Sequence, residues 1–307
     1  MRRAASRQRP RELRGGGCYA AAVDDPQGVR AMKSILIPVE PGPLLESVLQ
    51  TGWLLASAFG SYVEGFALSP VLTPFLGADA IGGTVVYDAD LRQDGKSVEE
   101  SRQAFEKGMS ERARGGAAGA TVGWLKDAEQ GDGFVGAYGR VFDVTVIGRP
   151  NSSAGGPRMS TFEASLFESG RPVLIAPPLP PQRLGEKIVI AWNRSAETAR
   201  TVAFAMPLLE RAKAITVLAI RGGSVSGPDG DQLAANLRRH GIACDVVAID
   251  KEDGRAIGVA VLDQAAKLGS DLIVKGGFTQ SRLSQLIFGG ATRHILAEAT
   301  LPVFMAH

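Results

Sequence analysis

Cysteine, histidine and long apolar runs are all scarce in this chain. Its 307 residues hold two cysteines, Cys18 and Cys244, and three histidines, His240, His294 and His307. Two distant cysteines cannot build a disulfide framework, and no His or Cys pair has the spacing of a zinc site. The scarcity suits a reducing cytoplasm. Cys244 lies in the alternating run Ile242–Ile249 and reads as a small core residue rather than a nucleophile. No apolar run approaches the ~20 residues that a membrane-spanning helix needs. Also missing are Gly-x-Ser-x-Gly, a phosphate loop ending in Gly-Lys-Ser/Thr, and Gly-x-Gly-x-x-Gly after the first strand. The usual signatures of serine hydrolases, P-loop enzymes and dinucleotide-binding dehydrogenases are therefore absent.

A surplus of charge is missing as well, although the formal net charge is +2. Residues 1–31 carry seven Arg against Glu12, Asp24 and Asp25, which leaves 27 basic and 29 acidic side chains for residues 32–307. A body at −2 offers no electrostatic footprint for nucleic acid. The basic leader has no hydrophobic periodicity and no signal-peptide core. It is expected to be a disordered or non-native extension, with Met32 as the working start.

What the chain does have is a repeat. Asp143–Gly148 leads through a polar loop to Ser160–Glu168 and then Arg171–Ala176; Asp271–Gly276 leads likewise to Gly290–Glu298 and Leu301–Ala306. From Ser160 to Ala176 the offset to Gly290–Ala306 is a constant 130, with Leu166/Leu296, Glu168/Glu298 and Pro172/Pro302 in register. The two loops differ. The second ends in the glycines that a phosphate-binding loop needs, and the first does not.

Hydrophobic period gives the elements. In the second half, strands are expected at 187–192, 214–220, 244–249, 271–275 and 302–306, with helices at 196–213, 231–240, 255–268 and 291–299. Ser195 is the expected N-cap of the first helix. In the first half, strands are expected at 35–39, 61–68, 121–126, 143–147 and 171–176, with helices at 45–59, 98–113 and 134–141. Ser160 and Glu163 have the spacing of a capping box for the last helix of that half. Strands alternating with helices imply parallel sheets covered on both faces. The expected domains are 32–177 and 187–307, joined by a Pro-rich linker at 178–186 that contains Pro178, Pro180 and Pro181. A Gly-, Pro- and Asp-rich insert, 69–95, lies in the first domain.

Ligands of open parallel sheets bind beyond the carboxyl ends of the strands, where strand order reverses. In the second half this brings together the loops after Trp192, after Ile220 and after Lys275. Gly276 ends a strand, and Gly289-Gly290 open a helix whose free N–H groups can seat a phosphate. The alternative is architectural: Gly276 ends a strand and the glycine pair starts a helix. In the first half Glu40 follows the first strand, and Met159-Ser160 replace the glycine pair, so no triphosphate is expected there.

At these residues the chain resembles the universal stress protein family in its tandem form. The family's nucleotide-binding pattern is Gly, two residues, Gly, nine residues, Gly, then Ser/Thr. It falls here on Gly276, Thr279, Gly289 and Gly290, of which two match. The acidic residue that follows the first strand in the family falls on Asn193. The resemblance implies two doubly wound five-stranded parallel-sheet domains of the adenine-nucleotide alpha-hydrolase-like fold, related by a pseudo-two-fold axis.

It also implies ATP or another adenine nucleotide as a regulatory ligand, with Mg²⁺ only alongside it. Candidate contacts are Asn193, Ile220, Lys275, Gly276, Thr279, Gly289, Gly290 and Ala291, with Arg282 and Arg293 as further positive charges. Enzymatic turnover is not expected beyond slow ATP hydrolysis; His294, the one candidate acid–base group, reads better as a helix-surface residue. The expected partners are the nucleotide and the other half of the chain, with a further homodimer open, and neither nucleic acid nor membrane. A nucleotide-free interaction module on the same fold, contacting a partner through the first domain and the 69–95 insert, is the competing reading.

Overall fold

The computed structural model describes residues 31–68, 88–116, 119–129, 131–150, 157–221, 225–250, 254–277 and 290–307, with the side chains of 88–95, 254 and 255 excepted. The first half contains β1 (Ser34–Val39), α1 (Leu45–Phe59), β2 (Tyr62–Ala67), α2 (Asp88–Ala113) and β3 (Thr121–Trp124). It continues with α3 (Asp132–Tyr138), β4 (Val144–Gly148), α4 (Met159–Glu168) and β5 (Val173–Ala176). The second half contains β6 (Lys187–Trp192), α5 (Ala196–Leu209), β7 (Ala214–Arg221), α6 (Gly230–Arg239) and β8 (Asp245–Asp250). Then come α7 (Gly254–Lys267), β9 (Leu272–Gly276), α8 (Gly290–Glu298) and β10 (Val303–Ala306).

The ten strands among the described residues belong to one sheet, in the order β3-β2-β1-β4-β5-β10-β9-β6-β7-β8. Within each half the pairings are parallel; β5 and β10 meet antiparallel. The register at that seam follows from the repeat. Leu174 pairs with Phe304, its own counterpart at the 130-residue offset, while Val303 faces Ile175 and Met305 faces Val173. The pseudo-two-fold axis therefore passes through the Leu174–Phe304 pair. Both side chains are wholly buried, and removing two such residues from water contributes about 2 kcal/mol apiece.

Strands buried on both faces read as continuous Val/Ile/Leu runs, and β1, β4, β6 and β9 do so. On one face Ile35, Ile37, Ile188, Ile190, Val274 and Phe304 pack with α1 and α5, and this core crosses the seam without a break. On the other, Ile147, Val173, Ile175, Ile273, Val303 and Met305 pack with α4, α7 and α8. A smaller cluster of Leu36, Phe66, Val135 and Phe142 lies under α3.

Matching polar residues fasten the two copies. The Asp143 carboxylate accepts from the backbone N–H groups of Lys33 and Ser34 at 2.7 and 2.9 Å. Its counterpart Asp271 accepts from those of Glu186 and Lys187 at 3.2 and 3.1 Å. Each aspartate that begins a repeat thus ties its strand to the start of the neighbouring one.

Two helix boundaries moved by four residues or more. Helix α2 begins at Asp88, so the expected loop 69–95 ends in a helix; residues 69–87 lie outside the described residues. Helix α5 ends at Leu209 rather than 213, two residues beyond Pro207, which lacks an N–H to donate. Among the described residues no helix is long and apolar enough to cross a membrane.

Candidate functional site

Strand order reverses between β6 and β9 in the second half, and the crevice above that point is built by three elements. After β6 the chain turns through Asn193, Arg194 and Ser195 into α5. Asn193 Oδ1 accepts from the backbone N–H of Ser195 at 3.2 Å and from the Thr198 hydroxyl at 2.5 Å. Ser195 is the N-cap of α5 as expected, its Oγ accepting from the Thr198 N–H at 3.2 Å. Arg194 has φ 69°, the one left-handed non-glycine among the described residues. Such a conformation costs on the order of 1 kcal/mol or more and calls for a reason.

The second element is the end of β9 with the start of α8. Lys275 is only 8% exposed. Its ammonium donates to the Gly276 carbonyl at 2.8 Å and to the Thr292 hydroxyl, in the first turn of α8, at 2.7 Å. Both acceptors are neutral, and no carboxylate pairs with Lys275 among the described residues. Burial pulls its pKa down from 10.5 to about 8. A helix start carries partial positive charge, so this cation stands where an anion would be favoured. Gly290 is the exposed first residue of α8, and Ala291, half-buried, follows it. Thr279 and Gly289, with Arg282, lie outside the described residues.

Gly276 also has a packing reason of its own. A Cβ there would stand 2.5 Å from the Thr198 backbone nitrogen and 2.8 Å from its Cα, so the first turn of α5 sits directly against the strand end. The N–H of Gly277 is spent on the Ala306 carbonyl at 2.6 Å. Asn193, Thr198, Gly276, Lys275 and Thr292 therefore form one continuous cluster.

The third element is a cavity of about 230 Å³ beyond the carboxyl ends of β6, β7 and β8. Ala219, Ile220, Val246 and Ala248 form an apolar floor; Trp192, Arg194, Arg221, Asp229 and Asp231 complete the wall. The candidate contact Ile220 is among these lining residues. The Asn193 side chain is not among the lining groups. Asp229 is committed to α6 through a capping box: its carboxylate accepts from the Gln232 N–H at 2.9 Å, and the Gln232 side chain accepts from the Asp229 N–H at 2.8 Å. Trp192 Nε1 donates to the Pro228 carbonyl at 2.9 Å and steadies the loop that enters α6. Arg221 lies 3.7 Å from Asp250 in an exposed pair.

The corresponding crevice of the first half is filled from within. Arg158 Nη2 donates to Asp132 Oδ1 at 2.8 Å, and its Nε lies 3.5 Å from Glu40 Oε1. The Thr161 hydroxyl contacts both carboxylates, at 2.7 Å from Asp132 and 3.1 Å from Glu40. Burial raises the Glu40 pKa, and Arg158 then Thr161 hold part of that rise back. The cavity left there is about 10 Å³, room for little more than one water.

The expected Ser160–Glu163 capping box does not form. Helix α4 starts at Met159, its N-cap is Arg158 in extended backbone, and no side chain caps it. Arg158 and Thr161 are drawn to Glu40 and Asp132 instead, which leaves Ser160 inside the helix and exposed. Internal ion pairing, rather than a local cap, occupies this copy.

The sequence matches no family model, and no curated protein matches it. Solved structures do. A universal stress protein from Archaeoglobus fulgidus DSM 4304 superposes with TM-score 0.67 at 14% identity, covering 90% of this chain and 96% of that one. The fold is that of a tandem universal stress protein. A functionally unknown protein from Pseudomonas aeruginosa PAO1 superposes with TM-score 0.51 at 15% identity, over 90% of this chain and 92% of that one.

In this universal stress fold, several groups escaped the sequence reading. The Asp229–Gln232 box is legible as Asp-x-x-Gln, and it starts α6 one residue ahead of the expected Asp231. Arg158 and Asp132 gave no signal, because nothing in their spacing says that α3 and α4 converge on Glu40. His294 is not a free surface group: its Cβ and ring pack against Gly258 of α7. Cys244 is a half-buried thiol whose pKa burial raises, in keeping with a packing residue.

Proposed function

We propose that this protein is a tandem universal stress protein whose C-terminal half binds an adenine nucleotide as a regulatory ligand. The observation that carries the reading is Lys275. Among the described residues its buried ammonium has only neutral acceptors, and it lies beside the start of α8, at the point where strand order reverses. A phosphate there would supply the missing anion and gain charge-assisted hydrogen bonds. The adjoining 230 Å³ cavity, with its apolar floor, suits the base and ribose end of such a ligand. The first half, with Arg158 already between Glu40 and Asp132, serves as scaffold. A cytoplasmic setting agrees with the single unpaired thiol, Cys244, among the described residues.

Calorimetric titration of the full chain with ATP, ADP and AMP, with and without Mg²⁺, tests this. Saturable binding to one site is expected, and Gly290→Val should abolish it by placing a branched side chain on the first turn of α8. Gly290 is exposed, so stability should hardly change. Absence of heat at millimolar nucleotide would overturn the reading in favour of an interaction module without nucleotide.

A further inference from the structure

The cavity at the ends of β6, β7 and β8 carries charge that the nucleotide reading leaves unused. Asn193 stands where an acidic side chain could accept the ribose hydroxyls, but it cannot do so here. A backbone N–H can only donate, so the contact with Ser195 fixes the side-chain oxygen towards α5, and the Thr198 hydroxyl takes that same oxygen. The next residue, Arg194, turns through left-handed backbone at φ 69° and lines the cavity. The turn is held in place: the loop before α6 packs on it so closely that a Cβ on Gly227 would lie 2.8 Å from the Arg194 carbonyl oxygen.

Arg194 has no ion-pair partner among the described residues. Arg221 enters the same cavity from β7, and among the described residues its one ion pair is the exposed 3.7 Å contact with Asp250. Of the two acids in the wall, Asp229 is spent on its capping box, and Asp231 sits in the first turn of α6, whose helix end partly offsets its charge. Arg221 ends β7, two strand positions from β9, about 10 Å at the usual strand spacing. Arg194 follows β6, the neighbour of β9, but it lines the cavity whose floor is made by β7 and β8. The chain thus presents two separate cationic positions, one at each end of the proposed ligand.

Resting on the nucleotide reading above, we infer that the preferred ligand is an adenine nucleotide carrying a second phosphate on its ribose 2′ or 3′ oxygen, bound by Arg194 with help from Arg221. In parallel α/β sheets an acidic residue at the ribose selects the free hydroxyl, whereas a nearby arginine accommodates a phosphate. Here the acceptor is used up and the arginine is present.

Parallel titrations of the full chain with AMP, adenosine 2′,5′-bisphosphate and adenosine 3′,5′-bisphosphate decide the matter. One bisphosphate should bind at least tenfold more tightly than AMP. Arg194→Gly, which keeps the left-handed turn at no steric cost, should erase that preference by weakening the bisphosphate at least tenfold more than it weakens AMP. Equal affinities for all three would overturn this inference and leave nucleotide binding intact; no binding of any would overturn both. If Arg194→Gly weakened AMP as much as the bisphosphate, Arg194 would be serving the 5′ phosphate and the inference would fail.

Discussion

Replacing Lys275 by Met should stabilise the ligand-free protein at neutral pH and make it less stable than the wild type at high pH. The side chain is 8% exposed, and burial alone lowers its pKa from 10.5 to about 8. At 1.36 kcal/mol per pH unit, holding the proton in the fold costs about 3 kcal/mol at pH 7. Against this, Met removes two hydrogen bonds, to Gly276 and Thr292, worth about 1 kcal/mol each. Methionine fills a similar volume, so the net at pH 7 is a gain of roughly 1 kcal/mol for the variant.

The sign then changes with pH. The folded pKa lies below the unfolded one, so between pH 8 and 10.5 the unfolded chain binds more protons and wild-type stability rises with pH. By pH 10 the penalty has largely gone and only the lost hydrogen bonds remain. Urea unfolding of both proteins at pH 7, 8.5 and 10 reads the effect as a difference of differences, in which every other titrating group cancels. The variant's advantage should shrink by about 2–3 kcal/mol over that range. A difference that stays flat would refute the reasoning, because it would mean that Lys275 is not charged and desolvated in the fold.

Gly276→Ala should lower stability by about 2 kcal/mol or more, since the new methyl meets the Thr198 backbone at 2.5 Å and backbone cannot swing aside; a thermal melt within a degree of wild type would contradict this. Asp143→Ala strips the hydrogen-bond acceptor from the N–H groups of Lys33 and Ser34 and should cost about 2 kcal/mol, measured by denaturant midpoint at constant slope. Arg158→Met removes the cation between Glu40 and Asp132, so the Glu40 pKa should climb further. A carboxyl whose folded pKa is raised favours the fold while protonated and penalises it once ionised. The variant should therefore be more destabilised at pH 7 than at pH 4, and equal losses at both would count against the network.

Most of the fold was legible because it depends on period and repetition, which a sequence states directly. The Val/Ile runs of β6 and β9 and the constant offset of 130 carried the succession of strands along the chain, and Ser195 announced its helix. The single continuous sheet was less legible. Nothing in Val173–Ala176 read alone says whether its free edge meets solvent or its own repeat; the constant offset then sets the register of their pairing. The candidate site was legible at Lys275 and Ile220, which lie on strands. It was misread at Ser160, where a local pattern lost to a contact between residues far apart in sequence. Arg158 reaches back 118 positions to Glu40, and no local window contains that fact.

The Leu174–Phe304 pairing has a consequence for how such a chain came to be and how it can diverge. A residue that pairs with its own counterpart across a two-fold axis is what a dimer of identical half-length subunits would present. Joined end to end by residues 177–186, the halves keep each other's inner edge strand covered without depending on concentration. Once covalently coupled, they need no longer be alike. One copy can fill its crevice with Arg158, Glu40 and Asp132 and so harden into a support, while the other keeps an open cavity and a buried cation. A free dimer of identical subunits must gain or lose both sites together; this linked pair can hold one of each.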